Sequence, residues 1–106
     1  MRSIILHVKS APGTARWEEP TCKCSTWIEH WYNNTDMDYP EVCPNCGEVT
    51  DDWDGAHVRK VDQNGNLLLI DQNYYITPIC SSCNSKSEVD FDVDSRYLVK
   101  VNVCNA

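Results

Sequence analysis

The chain has 106 residues, seven cysteines and a formal charge of −7, a length that suits one domain with a modest core that an added cross-link would help. Nine Lys and Arg stand against sixteen Asp and Glu; nucleic acid is disfavoured as a partner, because affinity for phosphates comes from cations that displace counterions, and a basic protein is the better match. Residues 1–9 are apolar for too few positions to be a signal peptide and no stretch reaches membrane-spanning length, so the expectation is a single domain over residues 1–106, away from the membrane, in the cytoplasm.

In chain order, Ile4, Leu6 and Val8 alternate with Ile5, His7 and Lys9, which predicts an opening strand that pairs with the C-terminal one. Thr26-Trp27-Ile28-Glu29 fits a capping box and predicts a short helix with Trp27 and Trp31 on one face. That helix ends near Asn33-Asn34, and Tyr39-Pro40 leads into Cys43-Pro44-Asn45-Cys46-Gly47, a tight turn by composition. An acidic loop, Val49 to Gly55, follows. His57–Val61 and Leu67–Ile70 flank Asp62-Gln63-Asn64-Gly65-Asn66, an Asn-Gly hairpin signal. Tyr74 to Ile79 is a further strand delivering the chain to Cys80, Cys80-Ser81-Ser82-Cys83 opens a short helix, and Tyr97–Val103 closes the chain as an alternating strand.

Two Cys-x-x-Cys turns, Cys43/Cys46 and Cys80/Cys83, each present two sulfurs, which together complete a closed tetrahedral zinc site with no position for catalytic water. In a reducing compartment an odd number of cysteines spaced as pairs fits metal better than a disulfide framework, with a secreted disulfide protein as the alternative. Cys22, Cys24, His30 and Cys104 form a second candidate zinc set, although one residue between Cys22 and Cys24 is unusual spacing for chelation. Free thiols and an ordinary helix histidine are the competing explanation. The predicted fold is α+β: a small zinc-stabilised domain of treble-clef or ββα type, with an antiparallel hairpin and short helices.

The order Cys43-x-x-Cys46, Gly55-Ala56-His57-Val58, then Ile79-Cys80-x-x-Cys83-Asn84-x-Lys86 resembles zinc-supported HNH endonucleases of the His-Me finger superfamily, over residues 43 to about 90. The segment from Cys24 to Trp31, with Gly-Ala-His-Val and Tyr-Ile-x-Pro-x-Cys, is also similar to small bacterial and phage HNH-like proteins. The endonuclease resemblance implies a ββα unit with a divalent catalytic metal: His57 at the general-base position, Asn84 at the helix metal-ligand position, and Asn73 standing in for the loop Asn, whose own position holds Tyr75. The family's acidic ligand before the base is Ala56 here. Without that carboxylate, and with an amide ligand, a hard cation would be held poorly.

His57 therefore reads as a strand histidine whose imidazole donates to backbone or packs beside the zinc knuckle, and Trp27, Trp31, Tyr74 and Tyr75 as core. The favoured function is a non-catalytic zinc scaffold acting as an acidic protein-binding module, or as an inhibitor of a nucleic-acid-binding protein. Its acidic surface is Glu48 to Asp54 and Glu88 to Asp94. The alternative is a metal-dependent DNA endonuclease with His57 as base and a local patch of Arg59, Lys60 and Lys86. A plain zinc-folded nucleic-acid binder ranks last.

Overall fold

The computed structural model describes residues 4–11, 26–86 and 88–102. Among them, strands β1 (Ile5–Ser10), β2 (Trp53–Lys60), β3 (Tyr75–Cys80), β4 (Asp90–Asp94) and β5 (Val99–Lys100) form one antiparallel sheet in the order β4-β1-β2-β3-β5. Two short helices, α1 (Trp27–Asn33) and α2 (Ser81–Asn84), complete an α+β fold.

Strand alternation sorts the side chains into two layers. Val8, Ala56, Val58, Tyr75, Ile79, Phe91 and Val93 gather in one buried cluster, joined by Val89 and three of the cysteines. His57 and Ile76 are cross-strand partners on the other face, where Trp31, Ile76 and Val99 form a second cluster with Trp27, Ile28 and Met37.

The sheet is curled. Strands β4 and β5 lie at opposite edges, yet only Ser95 to Leu98 join them, with Ser95–Tyr97 wound into a 3-10 turn. Five flat strands would set those edges about 19 Å apart, whereas this connection reaches about 13 Å. Curling brings Phe91 and Val93 of one edge onto the same core as Tyr75 and Ile79, with Tyr97 and Leu98 packed against it.

Helix α1 starts where the capping box places it: Thr26 is extended and its Oγ1 accepts from Glu29 N–H at 3.2 Å. Its first turn rests on Gly55, where an added Cβ would stand 2.7 Å from both Ile28 N and Trp27 C. Trp31 is fully buried and donates through Nε1 to Tyr97 O at 2.8 Å. Its ring stacks on Tyr39, which stacks in turn on Trp53 at 5.8 Å, so an aromatic column runs from α1 to the residue paired with Cys80.

Three expectations are corrected. The opening strand does not pair with the C-terminal one: β1 lies between β4 and β2, while Val99–Lys100 pairs with β3. The acidic stretch supplies the intended partner, because Val89, Phe91 and Val93 point inward while Asp90 and Asp92 stay exposed. Leu67–Ile70 is not a strand. Only a single bridge joins Val61 to Leu67, and Leu69 and Ile70 are 84% and 95% exposed. The predicted turn does form, with Gly65 at φ +82° and Asp62 Oδ1 accepting from the N–H groups of Asn64 and Asn66. It belongs to a longer connection, because β3, whose six residues are all buried, takes the edge of β2.

Candidate metal centre

The two Cys-x-x-Cys turns meet at the end of the β2–β3 hairpin. Cys43 and Cys46 sit in a turn closed by Gly47 N–H to Cys43 O at 2.7 Å and Cys43 N–H to Glu48 O at 2.9 Å. Gly47, at φ +75°, occupies the left-handed conformation that such a turn needs and that glycine adopts without strain. Cys80 is the last residue of β3 and Cys83 lies in α2. Ser81 N–H to Asp52 O at 3.0 Å fixes that helix to the start of β2.

All four Sγ atoms lie within 4.8 Å of one another. Cys43 and Cys83 are 3.9 Å apart, and Cys46 and Cys80 3.8 Å. A tetrahedron of about 2.3 Å metal–sulfur bonds has edges of about 3.8 Å, so these two separations match its edges and the four sulfurs are close enough to share one ion. Cys43, Cys80 and Cys83 are buried and Cys46 faces solvent.

Hydrogen-bond donors point at two of the sulfurs. Asn45 Nδ2 donates to Cys83 Sγ at 3.1 Å and Cys80 N–H to Cys43 Sγ at 3.4 Å. Burial pushes the Cys43 thiol up, but the backbone N–H groups of Cys80, Cys46 and Asn45 outweigh it and bring the thiol down to about 7. The Cys80 thiol is raised, first by burial and then by the neighbouring sulfurs of Cys83 and Cys43. Four sulfurs this close cannot all ionise without a cation among them.

The remaining site candidates do not assemble. His57 projects towards α1, its ring edge-on to Trp27 with centroids 4.6 Å apart. Burial, and then His30 nearby, lowers its imidazole to about 4, so it stays neutral at physiological pH and accepts a proton weakly. Asp54, three residues earlier on β2, lies on the other face; its carboxylate receives Asn84 Nδ2 at 3.1 Å and Ser81 Oγ at 2.9 Å. Asn84 therefore faces away from His57. Asn73 is exposed, bonded to Asp71 Oδ1 at 3.0 Å, and β3 separates it from Asn84 by about 20 Å of extended chain. Arg59 and Lys60 are neighbours on one strand and so fall on opposite faces; Lys60 is tied to Asp71 Oδ2 at 2.7 Å.

Of the second candidate set, Cys22, Cys24 and Cys104 lie outside the described residues. His30 is fully buried in α1, with Nε2 3.1 Å from Lys100 O. A carbonyl only accepts, so Nε2 carries a proton, while Nδ1 is buried and without a hydrogen-bond partner among the described residues. Sequence reasoning missed the stack of Tyr39 on Trp53 beside this centre, because aromatic spacing across a loop carries no periodic signal. No helix among the described residues is long and apolar enough to cross a membrane. Comparison with family models, with curated proteins and with solved structures gives no match to this chain in any of the three.

Proposed function

We propose that this chain is a zinc-folded, non-catalytic scaffold that binds a basic protein partner, including the case of a nucleic-acid-binding protein that it inhibits. The observation that carries the zinc reading is the four-sulfur cluster with its 3.8 Å and 3.9 Å edges. Four thiolates select a soft or borderline ion and close its coordination shell, which suits structural zinc. The succession of cysteine turn, β2–β3 hairpin and cysteine-bearing α2 is in keeping with an HNH-like, treble-clef ancestry.

Supporting a binding role over catalysis are the neutral His57 beneath Trp27, its separation from Asn84 and Asn73, and the charge of −7. Val49, Leu69 and Ile70 are the most exposed large apolar side chains among the described residues, and they offer apolar anchors on an acidic surface. A second zinc on His30 Nδ1, Cys22, Cys24 and Cys104 belongs to the same proposal, since a histidine that donates its other ring N–H to a carbonyl is arranged as metal ligands usually are.

Metal analysis of the purified chain tests the first part: one or two zinc ions per chain are expected, and cobalt substitution should give the intense sulfur-to-metal absorption of a thiolate-rich tetrahedral site. A metal-free, folded chain overturns it. Plasmid nicking with Mg²⁺, Mn²⁺ or Ni²⁺ tests the second part. No cleavage is expected; cleavage that disappears in His57→Ala while zinc content persists would establish the endonuclease instead. Partner binding should weaken steeply with salt and on Leu69→Asp or Ile70→Asp.

A further inference from the structure

The two edges of the sheet are not alike. β5 is two residues long, and α1 lies against it, with His30 Nε2 3.1 Å from Lys100 O. β4 is five residues long, and no strand lies beside its outer edge among the described residues.

The ladder shows which main-chain groups that edge presents. Ser10 N–H donates to Val89 O at 2.9 Å and Ser95 N–H to Ile4 O at 2.7 Å, one at each end of the β1–β4 register. In an antiparallel pair the residues that exchange hydrogen bonds alternate. Val89, Phe91, Val93 and Ser95 therefore bond towards β1, and the N–H and C=O groups of Asp90 and Asp92 point outward. The carboxylates of Asp90 and Asp92 lie on the exposed face, 64% and 70% open to solvent. His7 engages one oxygen of each, Asp90 Oδ2 and Asp92 Oδ1, which leaves the other oxygen of each for a second cation.

An open edge is a template for another strand, and its charges decide which one. A second copy joined edge to edge would bring carboxylate against carboxylate, and like charges in a ladder repel. Lys or Arg at two alternate positions of an incoming strand would instead meet Asp90 and Asp92, while the residue between them turns to the other face.

We propose that the outer edge of β4 binds an extended, basic segment of another protein, which adds antiparallel as a sixth strand. Its main chain bonds to Asp90 and Asp92, and its alternate Lys or Arg side chains pair with their carboxylates. The inference rests on the reading of this chain as a binder of a basic protein, and it names the surface used and the conformation bound.

The test titrates the ¹⁵N-labelled full chain with a synthetic Thr-Lys-Val-Lys-Val-Lys-Thr peptide. Saturable shifts of the Asp90 and Asp92 amides are expected, with slower hydrogen exchange at both. The same peptide methylated on its lysine backbone nitrogens keeps its charge but cannot bond to the edge, and should bind at least about tenfold more weakly. Asp90→Asn with Asp92→Asn should weaken the unmodified peptide about fivefold; the peptide comparison decides the matter if that variant folds poorly. Equal binding of the methylated peptide, or no saturable shift up to about 5 mM, overturns the proposal. Saturable shifts confined to another surface, such as Leu69 and Ile70, overturn it while leaving the basic-partner reading in place.

Discussion

Gly55→Ala should loosen α1 from the sheet. Gly55 is not in a left-handed conformation, so the cost is one of space alone. The new methyl would meet Ile28 N and Trp27 C at 2.7 Å and Trp27 O at 2.9 Å. All three are backbone atoms of the first turn of α1 and cannot rotate away. Restoring ordinary contact at 3.4 Å requires helix and strand to part by about 0.7 Å. The shift would be felt by the edge-on contact of Trp27 with His57 and by the packing of Trp31 against Ile76 and Val99. Overpacking of this kind costs about 1–3 kcal/mol, and in a domain of this size about 2 kcal/mol lowers Tm by roughly 8–15 °C. Thermal melts of the metal-loaded protein, followed by circular dichroism and tryptophan fluorescence, measure it. Gly65 is the control: it has φ +82° and nothing within 4 Å of an added Cβ, so its cost is conformational and Gly65→Asn should be nearly neutral. A Gly55→Ala protein melting within about 2 °C of wild type would refute the close seating of α1.

Three further outcomes are expected. Chelation, or Cys80→Ser, should abolish the cooperative melt, since a structural zinc contributes about 10 kcal/mol or more in small zinc domains, as much as the whole net stability of an ordinary domain; a chelated chain with an unchanged spectrum and melt would contradict this. His7 lies 2.7 Å from Asp92 and 2.9 Å from Asp90, and these carboxylates, Asp92 first, raise its pKa above the ordinary 6.5. The stability it adds is complete below pH 6.5 and disappears as pH rises through the raised value, so wild type should lose Tm relative to His7→Gln as pH rises above 6.5; parallel profiles would exclude these ion pairs. Burial pushes the Asp71 carboxyl up, but Lys60, Tyr75 and Asn73 outweigh it and hold it well below the carboxylate range. Its contribution is present above pH 3.8 and falls away as pH drops through the depressed value. Asp71→Asn should cost about 2 kcal/mol at pH 7, between an exposed and a buried pair, and reduce acid sensitivity as read by urea titration.

What was legible in the sequence was local. Cys43-x-x-Cys46 and Cys80-x-x-Cys83 marked the four sulfurs that gather closely enough to hold a metal, the Thr26–Glu29 pattern placed the start of α1, and Asn64-Gly65 marked a turn that the chain makes. The misreadings came where a local signal was ambiguous and distant contacts decided. Leu67-Leu68-Leu69-Ile70 has strand composition, yet β3 buries all six of its residues on β2 and leaves that run outside. Val89, Phe91 and Val93 alternate with Asp90 and Asp92, and the acidic residues hid a half-buried strand that carries much of the core. The curl of the sheet depends on which strands take the two edges, a long-range property without a sequence period. The same holds for His57 and Asn84: spacing put them in family order, while strand alternation turned them to opposite faces.

The position of the sulfur cluster would let one bound ion organise much of the chain. Between α1 and β2 lie residues 34–52 without regular structure, and the backbone bonds within Cys43–Glu48 are internal to the turn. Besides the Ser81–Asp52 bonds and the packing of Met37, two links carry this segment to the sheet. One is the aromatic column through Tyr39, which joins Trp31 on α1 to Trp53 on β2; the other is the sulfur cluster, which joins Cys43 and Cys46 to the end of β3 and to α2. Because Trp53 is the register partner of Cys80, both links converge on the same cross-strand pair. A stacked aromatic pair is worth about 1 kcal/mol beyond its buried area, too little to close a loop of this length alone. Cys43 and Cys83 are also core residues, buried with Ala56, Val58 and Ile79, so losing an ion held there would unpin part of that core as well as release the loop. A metal held there would therefore act on the sheet core and the loop together, and loss of either should be seen as loss of both.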